Sequence, residues 1–301
     1  ITTPEYAHVA NYAYHLDGSN NITSSFTLSS PFILDPDLST PKTLQFRFKT
    51  PGIPTASANY NVWVADTSNA FITLDYDGSG MSSGSYSGAV PSQSNAYGTL
   101  TLYPDGLNEL NKTASLSLPF FDGGWWSIMA AVDHDADDPL SDLATLYAAN
   151  RIGNEIGFSG SNSISYNWQY WDAATKSSFP LTLNGGLVID GVNHYPLTGA
   201  LQEIRYWDVI LSESLFYDYV VNPYSTQGNT INSTPNNLAF RADLGTLLDT
   251  GSGISTHPKV TGSWEITQSF ASGNSYFYTS SNSYITNYEE IYLNQIPGGI
   301  K

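Results

Sequence analysis

The feature that most constrains this chain is a succession of short segments that alternate apolar and polar residues and are separated by turn residues. Leu44-Gln45-Phe46-Arg47-Phe48-Lys49 sets the pattern, with every second side chain apolar, as a half-buried strand requires. Segments 60–64, 70–74, 98–103, 125–132 and 144–147 read the same way. Between them lie Asp77-Gly78, Pro104-Asp105-Gly106, Asp122-Gly123-Gly124 and Asn184-Gly185-Gly186, all turn chemistry. Many short strands at this spacing predict an all-β sandwich or barrel. Composition agrees, because only 12% of residues are charged and the solvent faces must be covered by Ser, Thr, Asn, Gly and Tyr.

One segment departs from the two-residue period. Leu211, Leu215 and Tyr219 recur every four residues, Ser212 is placed to cap, and Asn222-Pro223 stops the ladder. A short closing helix is expected there. The polar stretch 224–237 reads as a linker, followed by short strands around 238–240, 259–266, 275–278 and 291–293. The expected organisation is therefore a sandwich over residues 1–222, then a linker and small β-rich C-terminal extension over 223–301.

The net charge of −17, with ten basic residues in all, argues against nucleic acid as a partner, since phosphate binding needs clustered Lys and Arg. With no cysteine there are no disulfides, thiolate metal sites or Cys nucleophiles. The apolar stretch 125–132 is too short to span a bilayer, so no membrane insertion is expected. The chain opens on Ile1 and shows no signal peptide, which reads as a processed chain or an excerpt.

The segment 199–212, Gly-Ala-Leu-Gln-Glu-Ile-Arg-Tyr-Trp-Asp-Val-Ile-Leu-Ser, resembles the closing signature of the laminin-G-like, concanavalin A-like lectin/glucanase superfamily. Leu181 to Gly186 sits where that family places the preceding strand and its glycine turn, and Trp126 to Val132 looks like its central strand. The resemblance implies a laminin-G-like jelly-roll sandwich, to which the short closing helix and the small β-rich C-terminal appendage read from the residues are added. Simple alternation along 199–207 puts Leu201, Glu203, Arg205 and Trp207 on one face, and Ala200, Gln202, Ile204 and Tyr206 on the other. Glu203 and Arg205 then read as a structural ion pair. Catalysis by Glu203 would need a second carboxylate at a suitable distance. The superfamily's glycoside hydrolases carry an E-x-D-x-x-E strand, a pattern that is not found here. Phe240 to Gly245, His257 to Trp264 and Asn294 to Lys301 look like passages that follow such domains in virion structural proteins of marine phages and large viruses. That implies a capsid decoration, tail or fibre component.

Two clusters are candidates for ligand chemistry. Asp133, Asp135, Asp137 and Asp138 can converge on calcium, although Asp138 and Ala144 stand where an EF-hand loop needs Gly and Glu. The competing reading is a solvated acidic loop. Asp75 and Asp77 could join a cation site from a neighbouring loop, or serve as a simple turn. The aromatic run Tyr166, Trp168, Tyr170 and Trp171 could stack on the C–H faces of sugars, or else pack in the core. At least one of Trp125 and Trp126 is expected to be buried. The histidines are scattered and accompany no nucleophile motif.

These observations predict a non-enzymatic structural or adhesion module on a virion or extracellular surface, oligomeric with other surface proteins and with glycan recognition as a secondary role. A free-standing carbohydrate-binding domain is the alternative, and a glycoside hydrolase a weaker one.

Overall fold

A computed structural model describes residues 12–17, 20–26, 43–65, 70–78, 96–133, 142–166, 176–179, 187–207, 209–223, 238–242, 262–269, 275–279 and 288–290. In chain order the strands begin β1 (Tyr12–Asp17), β2 (Asn20–Phe26), β3 (Thr43–Lys49), β4 (Ala58–Val64), β5 (Phe71–Tyr76) and β6 (Gly98–Tyr103). They continue β7 (Ala114–Leu118), β8 (Trp125–Asp133), β9 (Asp142–Ile152), β10 (Glu155–Tyr166), β11 (Lys176–Phe179), β12 (Leu187–Ile189), β13 (Val192–Pro196) and β14 (Thr198–Trp207). The helix α1 (Glu213–Val221) follows, then β15 (Leu238–Ala242), β16 (Gly262–Ser269), β17 (Ser275–Thr279) and β18 (Tyr288–Glu290).

Two sheets form. The first runs β10-β9-β8-β3-β14-β1-β18, with β15 also paired to β14. The second runs β17-β16-β2-β11-β4-β5-β6-β7, with the β12–β13 hairpin joined to β4. Pairing is antiparallel except for β13 with β4. Strands from the C-terminal quarter enter both sheets: β15 pairs with β14, β16 with β2 and β18 with β1. This is the expected fold class, a β-sandwich with one short helix. Before the closing strand, the described strands are β12 and β13 around a turn at Asp190 (φ 48°) and Gly191 (φ 79°). Two positive φ values suit a two-residue hairpin turn. The expected strand at Leu181 to Gly186 lies outside the described residues.

The core forms where the inner faces meet. Leu44, Phe46 and Phe48 of β3 point inward, as the alternation predicted, together with Trp126 and Ile128 of β8. Opposite them stand Val62, Trp63, Ile72, Leu74 and Leu100 of the second sheet. Fully burying each large apolar side chain is worth about 1.5–3 kcal/mol. The buried indoles keep their N–H groups bonded, Trp63 donating to the Tyr206 hydroxyl at 3.2 Å and Trp126 to Asp122 at 3.2 Å.

Strict alternation fails at one place in β14. The register against β3 shifts between Gln202 and Arg205, and Glu203 takes φ 54°. The extra residue is a β-bulge and resets the phase of the strand. Leu201 therefore joins Ile204 and Tyr206 in the core, while Ala200 packs with Trp125 on the outer face. The expected grouping of Leu201 with Arg205 and Trp207 is corrected accordingly.

The helix lies on that outer face. Ser212 caps it by accepting the Leu215 N–H at 3.4 Å, and Asn222 ends it, both as expected. Phe216, Tyr219 and Val220 pack against Met129, Ala149 and Trp207. Among the described residues no helix is long and apolar enough to cross a membrane.

Candidate functional site

Among the described residues, three polar or open places on the sandwich could carry function. The first is the outer face of the first sheet beside α1. There Arg205 donates through Nε and Nη2 to Glu203 Oε2 at 3.1 and 2.7 Å, and through Nη2 to the Pro223 carbonyl. Its guanidinium lies 5.2 Å from the Tyr219 ring centre. Glu203 and Arg205 are each 1% exposed. Trp207 donates to Gln45 at 3.2 Å, Arg47 donates to Gln202 at 3.1 Å, and Arg47 also sits 5.1 Å from the Trp125 ring centre. The gap beneath Tyr219 and Pro223 leaves no room for a water-sized guest. Glu203 and Arg205 thus form the structural ion pair the sequence suggested. This carboxylate is sealed from any substrate.

The second place is the outer face of the second sheet. The β12–β13 hairpin brings the buried His194 to Asp75, Nε2 to Oδ1 at 3.1 Å. Asn61 donates to the His194 carbonyl at 2.9 Å, and Leu187 and Ile189 pack on Val64 and Phe71. His194 and Asp75 therefore fasten the hairpin to the sheet. The Asp75 carboxylate is turned to an imidazole, whereas Asp77 stands at the strand end.

The third place is an open groove of about 230 Å³ at one end of the sandwich. One wall is the loop from Thr50 to Thr55, the other is Leu197 and Thr198, and Tyr60 and Phe121 lie between them. The loop is anchored where the Thr50 hydroxyl donates to the Phe120 carbonyl at 2.8 Å. Phe121 is held by its own N–H to the Ala96 carbonyl at 2.9 Å and by its ring 6.2 Å from Tyr60. None of the ten described lining residues carries a charge.

The turn that sets Phe121 is organised by Asp122. Its Oδ1 accepts from the Gly124 N–H at 2.7 Å and from Trp126 Nε1 at 3.2 Å, and its Oδ2 accepts from Asn150 at 3.5 Å. Burial pushes the Asp122 carboxyl above its ordinary value, and the hydrogen bonds from Gly124, Trp126, Asn150 and its own backbone only partly offset that rise. A folded-state value above the unfolded one means that the proton-linked stability from Asp122 is present at low pH. It is lost as pH rises through the folded value. The stability of the natural chain minus that of Asp122→Asn, measured by denaturant titration, should therefore decline as pH rises across the carboxylate range. A difference that stays flat contradicts this assignment.

The residues singled out in the sequence fall as follows. Asp133 ends β8 and is exposed, while Asp135, Asp137 and Asp138 lie outside the described residues. Tyr166 ends β10 at 1% exposure within the core, so its ring faces the packing and not solvent. Trp168, Tyr170 and Trp171 lie outside the described residues. Trp126 is fully buried and Trp125 half-buried. Sequence reasoning did not reach the groove, whose walls come from four separate parts of the chain. The Pro51-Gly52-Ile53-Pro54 loop was the one local signal.

Fold and site together define a two-sheet β-sandwich with one short helix and an uncharged groove at its end. No family model matches the sequence, and no curated protein does. Among solved structures, a native heptameric SAP-like pentraxin from Limulus polyphemus aligns over 83% of this chain and 96% of its own, at 12% identity and a TM-score of 0.35. The enzymatically active domain of tailspike protein 2 from bacteriophage CBA120 aligns over 78% of this chain and 31% of that chain, at 15% identity and a TM-score of 0.41. The LG1-3 region of the laminin alpha2 chain aligns over 66% of this chain and 31% of its own, at 14% identity and a TM-score of 0.38. The present chain therefore spans under a third of the latter two. Likeness at this level assigns neither ligand nor activity.

Proposed function

We propose that this chain is a non-enzymatic recognition module of structural or adhesive kind, worn on a virion or other extracellular surface, and that it binds neutral glycans in the end groove. The observation that carries the proposal is the groove lining. Thr55 and Thr198 supply hydroxyls, Tyr60 supplies an aromatic face, Pro51, Ile53 and Leu197 supply apolar walls, and no described lining residue is charged. Sugar rings present C–H faces that pack on aromatic rings and hydroxyls that bond to hydroxyls. Acid–base hydrolysis of a glycoside needs paired carboxylates at the reacting bond. In a chain of net charge −17, an uncharged groove favours a neutral ligand over an anionic one.

A neutral-glycan array probed with the natural chain and with Tyr60→Ala tests this reading. Tyr60→Ala should weaken binding about tenfold, the worth of one aromatic contact. Unchanged affinity in a folded variant would remove the groove from the account. The proposal also assigns calcium to the acidic loop that begins at Asp133 and an oligomeric state with other surface proteins. Light scattering in Ca²⁺ and then in EDTA should show an oligomer that dissociates on chelation. A monomer in both conditions contradicts that part.

A further inference from the structure

The groove is small for its proposed ligand. At about 230 Å³ it falls below the ~300–1,000 Å³ of sites that enclose a drug-sized molecule, so it holds one ring of anything larger. The rest of such a ligand must leave over the rim. Tyr195, 56% exposed, stands in strand β13 next to the lining residues Leu197 and Thr198 in sequence. In the parallel pairing of β13 with β4, Tyr195 is the register partner of Tyr60. Register partners put their side chains on the same face of the sheet, which places Tyr195 beside the groove's own aromatic residue. Leu197, two residues further on, lines the groove from that same face.

The strand holds Tyr195 on the groove's side of the sheet. On one side of it, His194 turns the opposite way and is fixed to Asp75 at 3.1 Å, with its carbonyl bonded by Asn61 at 2.9 Å. On the other side, Pro196 is buried and stiff at φ. With its backbone fixed on both sides, Tyr195 has only the rotation of its own side chain to lose on gaining a partner.

We infer that Tyr195 is a second stacking subsite next to the groove, so that the ligand is a neutral oligosaccharide of at least two rings. This inference rests on the groove reading above: one ring sits against Tyr60 and the next lies on Tyr195.

Calorimetric titration of the full chain with neutral mono-, di- and trisaccharides of the glucan, mannan and galactan series tests it. Affinity for the recognised series should rise about tenfold from one ring to two. In Tyr195→Ala the disaccharide should bind no better than the monosaccharide. Tyr195→Phe should keep the rise, as should Ile152→Ser at the exposed tip of the β9–β10 hairpin. A rise that persists in Tyr195→Ala overturns the second subsite while leaving the groove reading intact. Absence of binding to every series by the natural chain overturns both.

Discussion

Gly199→Ala should destabilise the chain more than any other single change described here. At that position φ is +133°, and a Cβ would lie 1.9 Å from the carbonyl oxygen of Lys49 and 3.1 Å from the Cα of Thr50. Both atoms are backbone, and Lys49 ends β3, a strand paired on both edges by β8 and β14. Neither strand can retreat without breaking a ladder. Backbone strain alone costs about 1–3 kcal/mol, and with the overlap the loss should reach the exceptional range of about 4–5 kcal/mol. That reaches the lower end of the ~5–15 kcal/mol by which native domains are stable. Gly52→Ala separates the two contributions, because Gly52 has φ +128° but nothing within 4 Å of an added Cβ. Denaturant unfolding should show a modest loss for Gly52→Ala and a far larger one for Gly199→Ala. Equal losses would mean that β3 and β14 can part, contrary to the packing described here.

Arg205→Leu should cost nearly as much, about 3–5 kcal/mol, because it strands the Glu203 carboxylate at 1% exposure. The guanidinium also bonds the Pro223 carbonyl and faces Tyr219, so the exit of α1 should loosen with it. Removing the stranded charge as well should recover part of the loss. Glycine suits the φ of 54° at position 203, so Glu203→Gly with Arg205→Leu should be more stable than Arg205→Leu alone. Additive losses in the double variant would show that the two side chains are not coupled.

Both predictions concern β14, and both show how far the sequence could be read. Alternation along β3 assigned Leu44, Phe46 and Phe48 correctly to the core, because that strand keeps its register along its whole length against β8. The helix was legible for a similar reason. A four-residue period, a serine cap and an Asn-Pro stop are local signals, and local structure obeyed them. Alternation misassigned Leu201, because a bulge inserts one residue and nothing in Gln202-Glu203-Ile204 announces it. A register shift also occurs in β4 between Asn61 and Trp63, where Val62 and Trp63 both enter the core.

The site was less legible than the fold. Periodicity says which residues share a face but not which face is inside, so Tyr166 could be read as a ligand contact although it is core. The groove gathers the loop after β3, Tyr60 of β4, the turn before β8 and the residues joining β13 to β14. Its members are threonine, proline, glycine, isoleucine, tyrosine, phenylalanine and leucine, which form no motif when scattered. His194 and Asp75 were likewise read apart, since the hairpin that joins them crosses from the edge of β4 over the sheet to β5. Only the topology brings these residues together.

The central claim is recognition without catalysis, and one experiment addresses both halves. The full chain is titrated calorimetrically with the neutral oligosaccharide series, and the same samples are assayed for newly formed reducing ends. The account predicts saturable heat with one recognised series and no new reducing ends over the course of the titration. Release of new ends, or no heat with any neutral series, would contradict it.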